Sequence, residues 1–503
     1  MSHWIIIPVL LPCVAGALLL LLRGNLQAQR LLSGAAVLGL AGVALALLSA
    51  AGSAGPELYR LGDWPAPFGI VLMLDRLSAL MLGLTAALAL PVLLYVIATG
   101  WDARGRHFHA LFQFQLMGIC GAFLTADAFN LFVFFEVLLI ASYGLMIHAG
   151  GRDRLRAGVQ YIAFNLVGST LFLFALATLY AVTGTLNMAD LAVKVAALPE
   201  GDVALVRVGA VLLILVFAIK GALVPLQFWL PGTYANAPGP VAALFAIMTK
   251  IGAYAIIRFG TMVFPPGEGP TGTLLADLMM PAALLTLAVG AIGTLGARDV
   301  ARQAGFAAIA SMGTLFVAIA AFDQPATGAA LYYLIHSTFA GAAMFLIADA
   351  ILRRRGTGDI TAPRPVFAGQ AVLAALFMVA AIAMAGMPPL SGFLGKLLVM
   401  QAVDGWVVWS VILAGSFLMI LGFARAGSTL FWKSHATEGR PAAPALHEPL
   451  AIAALALPVA ALVALTVFAG PVSGWLDATA AGLHDPAAYI AANDLPPLPE
   501  RAE

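Results

Sequence analysis

Five titratable residues fall where a chain this apolar should carry none. Glu136 sits in AFNLFVFFEVLLIASYGLM, with Leu131 to Phe135 before it and a further apolar run after it. Lys220 and Lys250 each lie deep inside one of two apolar runs between Val206 and Phe259, separated by Pro225, Pro231, Pro238 and Pro240. His336 stands in the middle of LYYLIHSTFAGAAMF. Lys396 follows the breakers Gly386, Pro388, Pro389 and Gly392 in AMAGMPPLSGFLGKLLVM. The chemistry open to such a set is proton transfer. A carboxylate in hydrocarbon must be protonated or paired with a cation, and a lysine whose carboxylate partner approaches and leaves can take up and release a proton. Imidazole exchanges protons near neutrality. Ionisable residues inside membrane helices default to function, and a helix break there is tolerated only where it lines a cavity or packs on protein. The break from Gly221 to Pro225, directly after Lys220, therefore marks the stretch as part of an ion path. Tyr161, Asn165, Ser169 and Thr249 extend a hydrogen-bonded water chain in this reading, although such groups also join membrane helices. Asp349, followed by Arg353, reads as an interfacial ion pair.

Those residues need an apolar scaffold, and composition supplies it. The 503 residues are 62% hydrophobic and only 10% charged, with net charge +1, and the mean hydropathy is +0.99. Soluble domains are about a quarter charged, so an all-α polytopic membrane protein is expected. Cys13 and Cys120 lie in apolar segments and read as small buried hydrophobes. Haem and iron–sulfur spacings, a phosphate-binding Walker loop and a dinucleotide glycine fingerprint are missing, so neither cofactor nor metal site is expected. His3 to Leu22 lacks a basic flank and reads as a retained first helix.

Runs of about twenty apolar residues predict fourteen spans, at 4–22, 31–51, 77–98, 107–125, 127–148, 157–183, 205–229, 239–263, 273–296, 303–321, 327–351, 366–402, 405–431 and 448–470. The connection 52–76 is mixed, and its end, GIVLMLDRLS, suits a short strand; the tail 471–503 is too polar to span. With the N-terminus outside, the odd-to-even connections carry sixteen of the lysines and arginines, densest at Arg152, Arg154 and Arg156 and at Arg353, Arg354, Arg355 and Arg364. The opposite side carries five: Arg60, Arg76, Lys194, Arg207 and Arg501. The positive-inside bias then places both termini outside the cytoplasm. Segments seven and twelve are both broken beside a lysine and hold corresponding places in helices 4–8 and 9–13. Five helices per block invert the second block relative to the first, the pattern whose broken helices mark a transport site. The expected organisation is a three-helix region at 1–106, a first five-helix repeat at 107–263, an inverted second repeat at 273–431, and a last helix with an extracytoplasmic tail at 448–503.

At these residues the chain resembles a known family. FNLFVFFEVLLIASYGLM, PLQFWLPGTYANAPGPVAALFAIMTKIGAY and GMPPLSGFLGK are similar to the antiporter-like proteins of the proton-conducting membrane transporter family. That family includes large membrane subunits of respiratory complex I, membrane-bound hydrogenases and Mrp-type multisubunit cation/proton antiporters. The resemblance covers residues 60 to 435, and LDRLSALML, MPPLSGFLGKLLVM and ARAGSTLFWK look most like the D-type subunits of Mrp/Pha antiporters. It implies that Glu136 matches the family's fifth-helix glutamate, Lys220 the lysine of the broken seventh helix and Lys250 that of the eighth. His336 would match the eleventh-helix histidine and Lys396 the charged residue of the broken twelfth. One departure stands out: where many members carry a histidine and an aspartate around Pro-x-x-x-Trp-x-Pro, this loop has Gln227 and Gly232, and no role passes to them.

The resemblance implies a proton-translocating subunit of a Na+ or K+/H+ antiporter in a bacterial inner membrane, with other antiporter subunits as partners and no nucleic acid. The relay would run from Glu136 and Lys220 through Lys250 and His336 to Lys396. The alternative is a proton-pumping subunit of a complex I-like quinone oxidoreductase or hydrogenase, with the same relay residues. A scaffold that conducts nothing would leave three lysines and a glutamate buried without purpose.

Overall fold

The computed structural model describes residues 2–199, 203–267, 269–436 and 449–495; the last eight residues and Arg440 lie outside them. Backbone groups in hydrocarbon must be satisfied within their own segment, so the apolar runs coil. In order they form α1 (Ile7–Leu21), α2 (Leu26–Ser53), α3 (Arg76–Thr99), α4 (Phe108–Leu124), α5 (Ala128–Met146), α6 (Arg152–Thr183), α7 (Met188–Ala196), α8 (Val203–Gly221), α9 (Trp229–Asn236) and α10 (Gly239–Leu244). Then come α11 (Met248–Met262), α12 (Leu274–Gly296), α13 (Val300–Ala321), α14 (Gln324–Arg355), α15 (Gln370–Ala385), α16 (Ser391–Ala402), α17 (Trp406–Gly427), α18 (Pro449–Val467), α19 (Ala469–His484) and α20 (Ala487–Ala491). Among the described residues eleven helices are long and apolar enough to cross a membrane, α10 and α11 counted as one, and α1, α4 and α15 are shorter apolar helices. The strand expected before residue 76 is present as β2 (Val71–Leu74), paired antiparallel with β1 (Glu57–Arg60). Four helices were not expected: α7, too short to show as a span, α9, in the connection after the first break, and α19 and α20, in the tail.

Local signals fix the helix ends. Asp75, Asp127, Asp299 and Asp323 each accept backbone N–H groups at a helix start, and Gly100, Gly184 and Gly356 close helices in the left-handed conformation. Two of these sets correspond. Asp127 caps α5, α6 ends at Gly184, and Asp127 bridges Asn187; Asp299 caps α13, α14 ends at Gly356, and Asp299 bridges Asp359. Each pair is 172 positions apart (127 to 299, 184 to 356, 187 to 359), and both α6 and α14 are 32 residues long.

The bundle has two distinct ends. At one, Arg60 pairs with Asp494, Asn187 meets Asn493, and Thr327 at the start of α14 bonds His484. We call this the tail end. At the other, the arginine end, Arg30 forks onto Asp102, Arg154 reaches the Asn236 carbonyl, and Trp101 Nε1 donates to Asp349 near the finish of α14. The core is organised around α14, which touches α3, α10, α11, α13, α15, α16, α18 and α19. Close approach needs missing side chains. A Cβ on Gly290 would lie 2.2 Å from the Ala310 nitrogen, and one on Gly313 would lie 2.3 Å from the Leu287 nitrogen, so the backbones of α12 and α13 touch.

Candidate functional site

The two expected helix breaks are built alike. After α8, Ala222 is left-handed (φ 57°), and the Leu223 N–H reaches back to the Ala218 carbonyl at 3.0 Å. After α15, Gly386 is left-handed (φ 81°), and the Met387 N–H reaches the Ile382 carbonyl at 3.0 Å. Both are six-to-one closures of a helix C-terminus. Leu226 then bonds Leu223, and Leu390 bonds Met387, at matching offsets. A third interruption was not foreseen. Between α10 and α11 the N–H groups of Ala246, Ile247, Met248 and Lys250 bond three residues back rather than four. Such a 3₁₀ stretch inside a span marks a hinge, and it leads directly into Lys250. No glycine or proline lies between Phe245 and Ile247 to signal it.

Glu136, half-buried on α5, accepts a hydrogen bond from Ser169 Oγ on α6. Lys220, buried in the last turn of α8, donates to Asn165 Oδ1 on α6 at 2.7 Å, and its Nζ lies 5.6 Å from the centre of the Phe135 ring. Among the described residues Glu136 and Lys220 form no ion pair, although the carboxylate is within electrostatic reach of the amine. What joins them is one face of α6. Asn165 and Ser169 are four residues apart and therefore neighbours on its surface. One turn earlier Tyr161 OH meets Ser142 Oγ at 3.0 Å. An asparagine oxygen accepts from a charged or a neutral amine alike, so Lys220 can lose its proton and keep this bond.

Lys250 is buried on α11, where its amine meets Thr249 Oγ1 at 3.5 Å and no other partner among the described residues. An ammonium there requires water. Gly252 holds α11 against α8: a Cβ on it would lie 2.5 Å from the Phe217 carbonyl oxygen and 3.2 Å from Lys220 Cβ. His336, fully buried on α14, is satisfied at Nδ1 by Ser391 Oγ at 3.0 Å, while Nε2 is buried without a partner among the described residues. The hydroxyls next to it in sequence, Ser337 and Thr338, bond the Leu334 carbonyl. His336 is within electrostatic reach of both Lys250 and Lys396.

Lys396, on α16, reaches across the second break. Its Nζ donates to the Ala385 carbonyl oxygen at 2.9 Å and to Ser416 Oγ on α17 at 2.8 Å. Ala385 ends α15, so the amine sits at the negative end of that half-helix. Gly386 makes the approach possible, since a Cβ there would lie 2.6 Å from Lys396 Cδ. Ser391 and Ser416 were not singled out in the sequence; a lone serine in an apolar span is too common a signal. Asp349 lies within electrostatic reach of Arg353, as expected, and has two further partners. It is buried, accepting from Tyr95 OH at 2.8 Å and Trp101 Nε1 at 3.2 Å. In the divergent loop, Trp229 Nε1 donates to the Ile219 carbonyl at 3.1 Å, and Gln227 Oε1 is buried without a partner among the described residues.

Eleven candidate spans among the described residues, with two apolar runs broken beside buried lysines, define a polytopic membrane protein. Residues 125–422 match the family described as NADH:quinone oxidoreductase/Mrp antiporter, TM, and the chain belongs to that family. It is 39% identical to the D subunit of a probable K(+)/H(+) antiporter of Rhizobium meliloti, over 97% of this chain and 96% of that one. It is 36% identical to the D subunit of the Na(+)/H(+) antiporter of Alkalihalophilus pseudofirmus, over 97% and 99% of the two chains. A chain in the structure of the Mrp complex from Dietzia sp. superposes with a TM-score of 0.87 at 26% identity, covering 98% of this chain and 100% of that one.

Proposed function

We propose that the protein is the proton-translocating D-type subunit of a multisubunit Na+ or K+/H+ antiporter in a bacterial inner membrane, a transporter subunit working with other antiporter subunits. The carrying observation is the α6 bridge, Glu136 to Ser169 and Asn165 to Lys220, which links an acid and a base on two other helices without fusing them into an ion pair. When Glu136 approaches through this bridge, the charged form of Lys220 is favoured; when it withdraws, the proton moves on through water to Lys250 and His336 and leaves by Lys396. Cation movement in the opposite direction depends on the assembled complex. In this reading fourteen spans cross the bilayer, with both termini outside and the arginine end in the cytoplasm. Residues 1–106 form the leading three-helix region, 107–263 and 273–431 the two inverted repeats, and 448–503 the last helix and tail. The 172-position correspondence between Asp127 and Asp299, at opposite ends of the bundle, supports the inversion.

The test is antiport in everted vesicles carrying the whole complex. Glu136→Ala and Lys220→Ala are expected to assemble and to lose exchange; assembly with wild-type rates would sink the relay. A pumping subunit of a redox complex remains the second reading, because the family itself spans both. Neighbouring genes for quinone or iron–sulfur subunits would favour it, and genes for small antiporter subunits would exclude it.

A further inference from the structure

Helix α19, in the tail too polar to span, lies across the tail-end termini of α11 and α14, the helices that carry Lys250 and His336. A crevice opens on each side of it. The first, about 370 Å³, is lined by Asp75, Arg76, Arg258 and Asp485 among others. Its Asp75 carboxylate is already paired. Arg258 forks onto Asp75 at 2.6 and 2.9 Å and lies over the rings of Tyr254 and Tyr489, and Tyr254 OH is fixed to the Phe123 carbonyl at 2.8 Å. The second, about 390 Å³, lies between α14, α16 and α19, where Gln324, Gly328, Gln401, Ser473 and Asp477 meet. None of its described lining residues is basic. An acid among amides and a hydroxyl is a lining that admits cations.

Asp477 is held at this crevice by the absence of a side chain opposite: a Cβ on Gly328 would lie 2.6 Å from its Oδ1. Eight residues further along α14, about 12 Å at 1.5 Å per residue, is His336. Between them stand Tyr332 and Tyr333, which pack on Gly395 of α16, where a Cβ would lie 3.4 and 2.9 Å from their rings. Tyr333 OH also meets Ser311 Oγ at 3.3 Å, and its ring centre is 5.4 Å from that of His336. The crevice, the tyrosine pair and the His336–Ser391–Lys396 group are thus stacked along one seam between α14 and α16.

We propose that this crevice is the outer mouth of the ion path, with Asp477 the carboxylate that exchanges protons or monovalent cations with the exterior and Tyr332 and Tyr333 the closure beneath it. The proposal rests on the relay reading above. In it α19 roofs the path and turns its acid to the open side.

The test uses the assembled complex with Cys13 and Cys120 replaced by alanine. Single cysteines at Ser473, Gln401 and Ala488, the last in the Arg258 crevice, are treated on intact cells with a membrane-impermeant cationic thiol reagent before vesicles are prepared and antiport is measured. Modification at Ser473 or Gln401 is expected to cut exchange at least fivefold, modification at Ala488 to leave it unchanged, and Asp477→Asn alone to slow it severalfold in a complex that still assembles. Gly328→Ala, which displaces the carboxylate without removing it, should mimic Asp477→Asn. Block at Ala488 but not at Ser473 or Gln401, or a wild-type rate in Asp477→Asn, overturns the assignment. Lys396→Ala in the same vesicles separates the two levels: wild-type exchange there overturns the relay itself, and the mouth with it.

Discussion

The two breaks use one backbone solution and place their lysines on opposite sides of it. Lys220 precedes its left-handed residue and sits in the last turn of the half-helix that ends there. Lys396 follows its break and reaches back to the terminal carbonyl of the other half. Both amines therefore occupy the negative end of an interrupted helix, but their partners differ in kind. Lys220 has a neutral acceptor, Asn165, with a carboxylate nearby; Lys396 has a backbone carbonyl and a hydroxyl, and no acid pairs with it among the described residues. At the position corresponding to Glu136, 172 residues on, stands Ala308. Within the proposed relay this difference would divide the labour: the first lysine adjustable by its acid, the second a fixed station beside His336.

Removing either amine gives the largest expected effect. Lys220→Ala and Lys396→Ala should each lower exchange by roughly a hundredfold, the scale of losing a positioned proton donor, measured as dequenching of a pH dye in vesicles matched for assembled complex. If only one of them stops exchange, the parallel between the breaks fails. Next in size, Asn165→Leu should cost roughly tenfold, because it takes away the side-chain acceptor of the Lys220 amine. Ser416→Ala should cost less, about threefold, since Lys396 keeps the Ala385 carbonyl. Equal losses would show that the two lysines are held in the same way.

The smallest effects are in stability. Gly386→Ala puts a Cβ into Lys396 at a positive φ and should destabilise by about 1–3 kcal/mol, read as a lower midpoint of thermal unfolding in detergent. Ala222→Gly relieves the same conformation in the first break while freeing the unfolded chain, so its midpoint should move by less than about 1 kcal/mol in equivalent free energy. A large loss in Ala222→Gly would mean that the methyl group, and not only the turn, holds the first break.

Most of the helices were legible because hydrocarbon demands long apolar runs, and both lysine-flanked breaks were legible because Gly221–Pro225 and Gly386–Pro389 announce themselves. The winding before Lys250 was not, since it is made by hydrogen-bond spacing among Phe245, Ala246 and Ile247 with no breaker present. Asn165 and Ser169 were visible as polar residues four apart on one segment. Their place between Glu136 and Lys220 was not, because it depends on how α5, α6 and α8 meet. The relay from Glu136 to Lys220 was expected without an intermediary side chain, although the spacing of this one was in view. Helix α19 was passed over because polarity argues against a span and says nothing about a helix lying on one.

The depth of α14 has a consequence for how the protein meets its lipid. Its apolar window is 94% buried and that of α10–α11 is 100% buried, against 33% for α2 and 39% for α12. Bilayer thickness acts on the helices that touch acyl chains, which tilt or stretch to match it. Lys250 and His336 ride on helices wrapped by protein, so changes in chain length or fluidity reach them only through their neighbours. The bridge between Glu136 and Lys220 runs over α6, whose window is only 39% buried within this chain. Adaptation to cold or to a thinner membrane should therefore register first at the α6 bridge between Glu136 and Lys220 and last at Lys250 and His336.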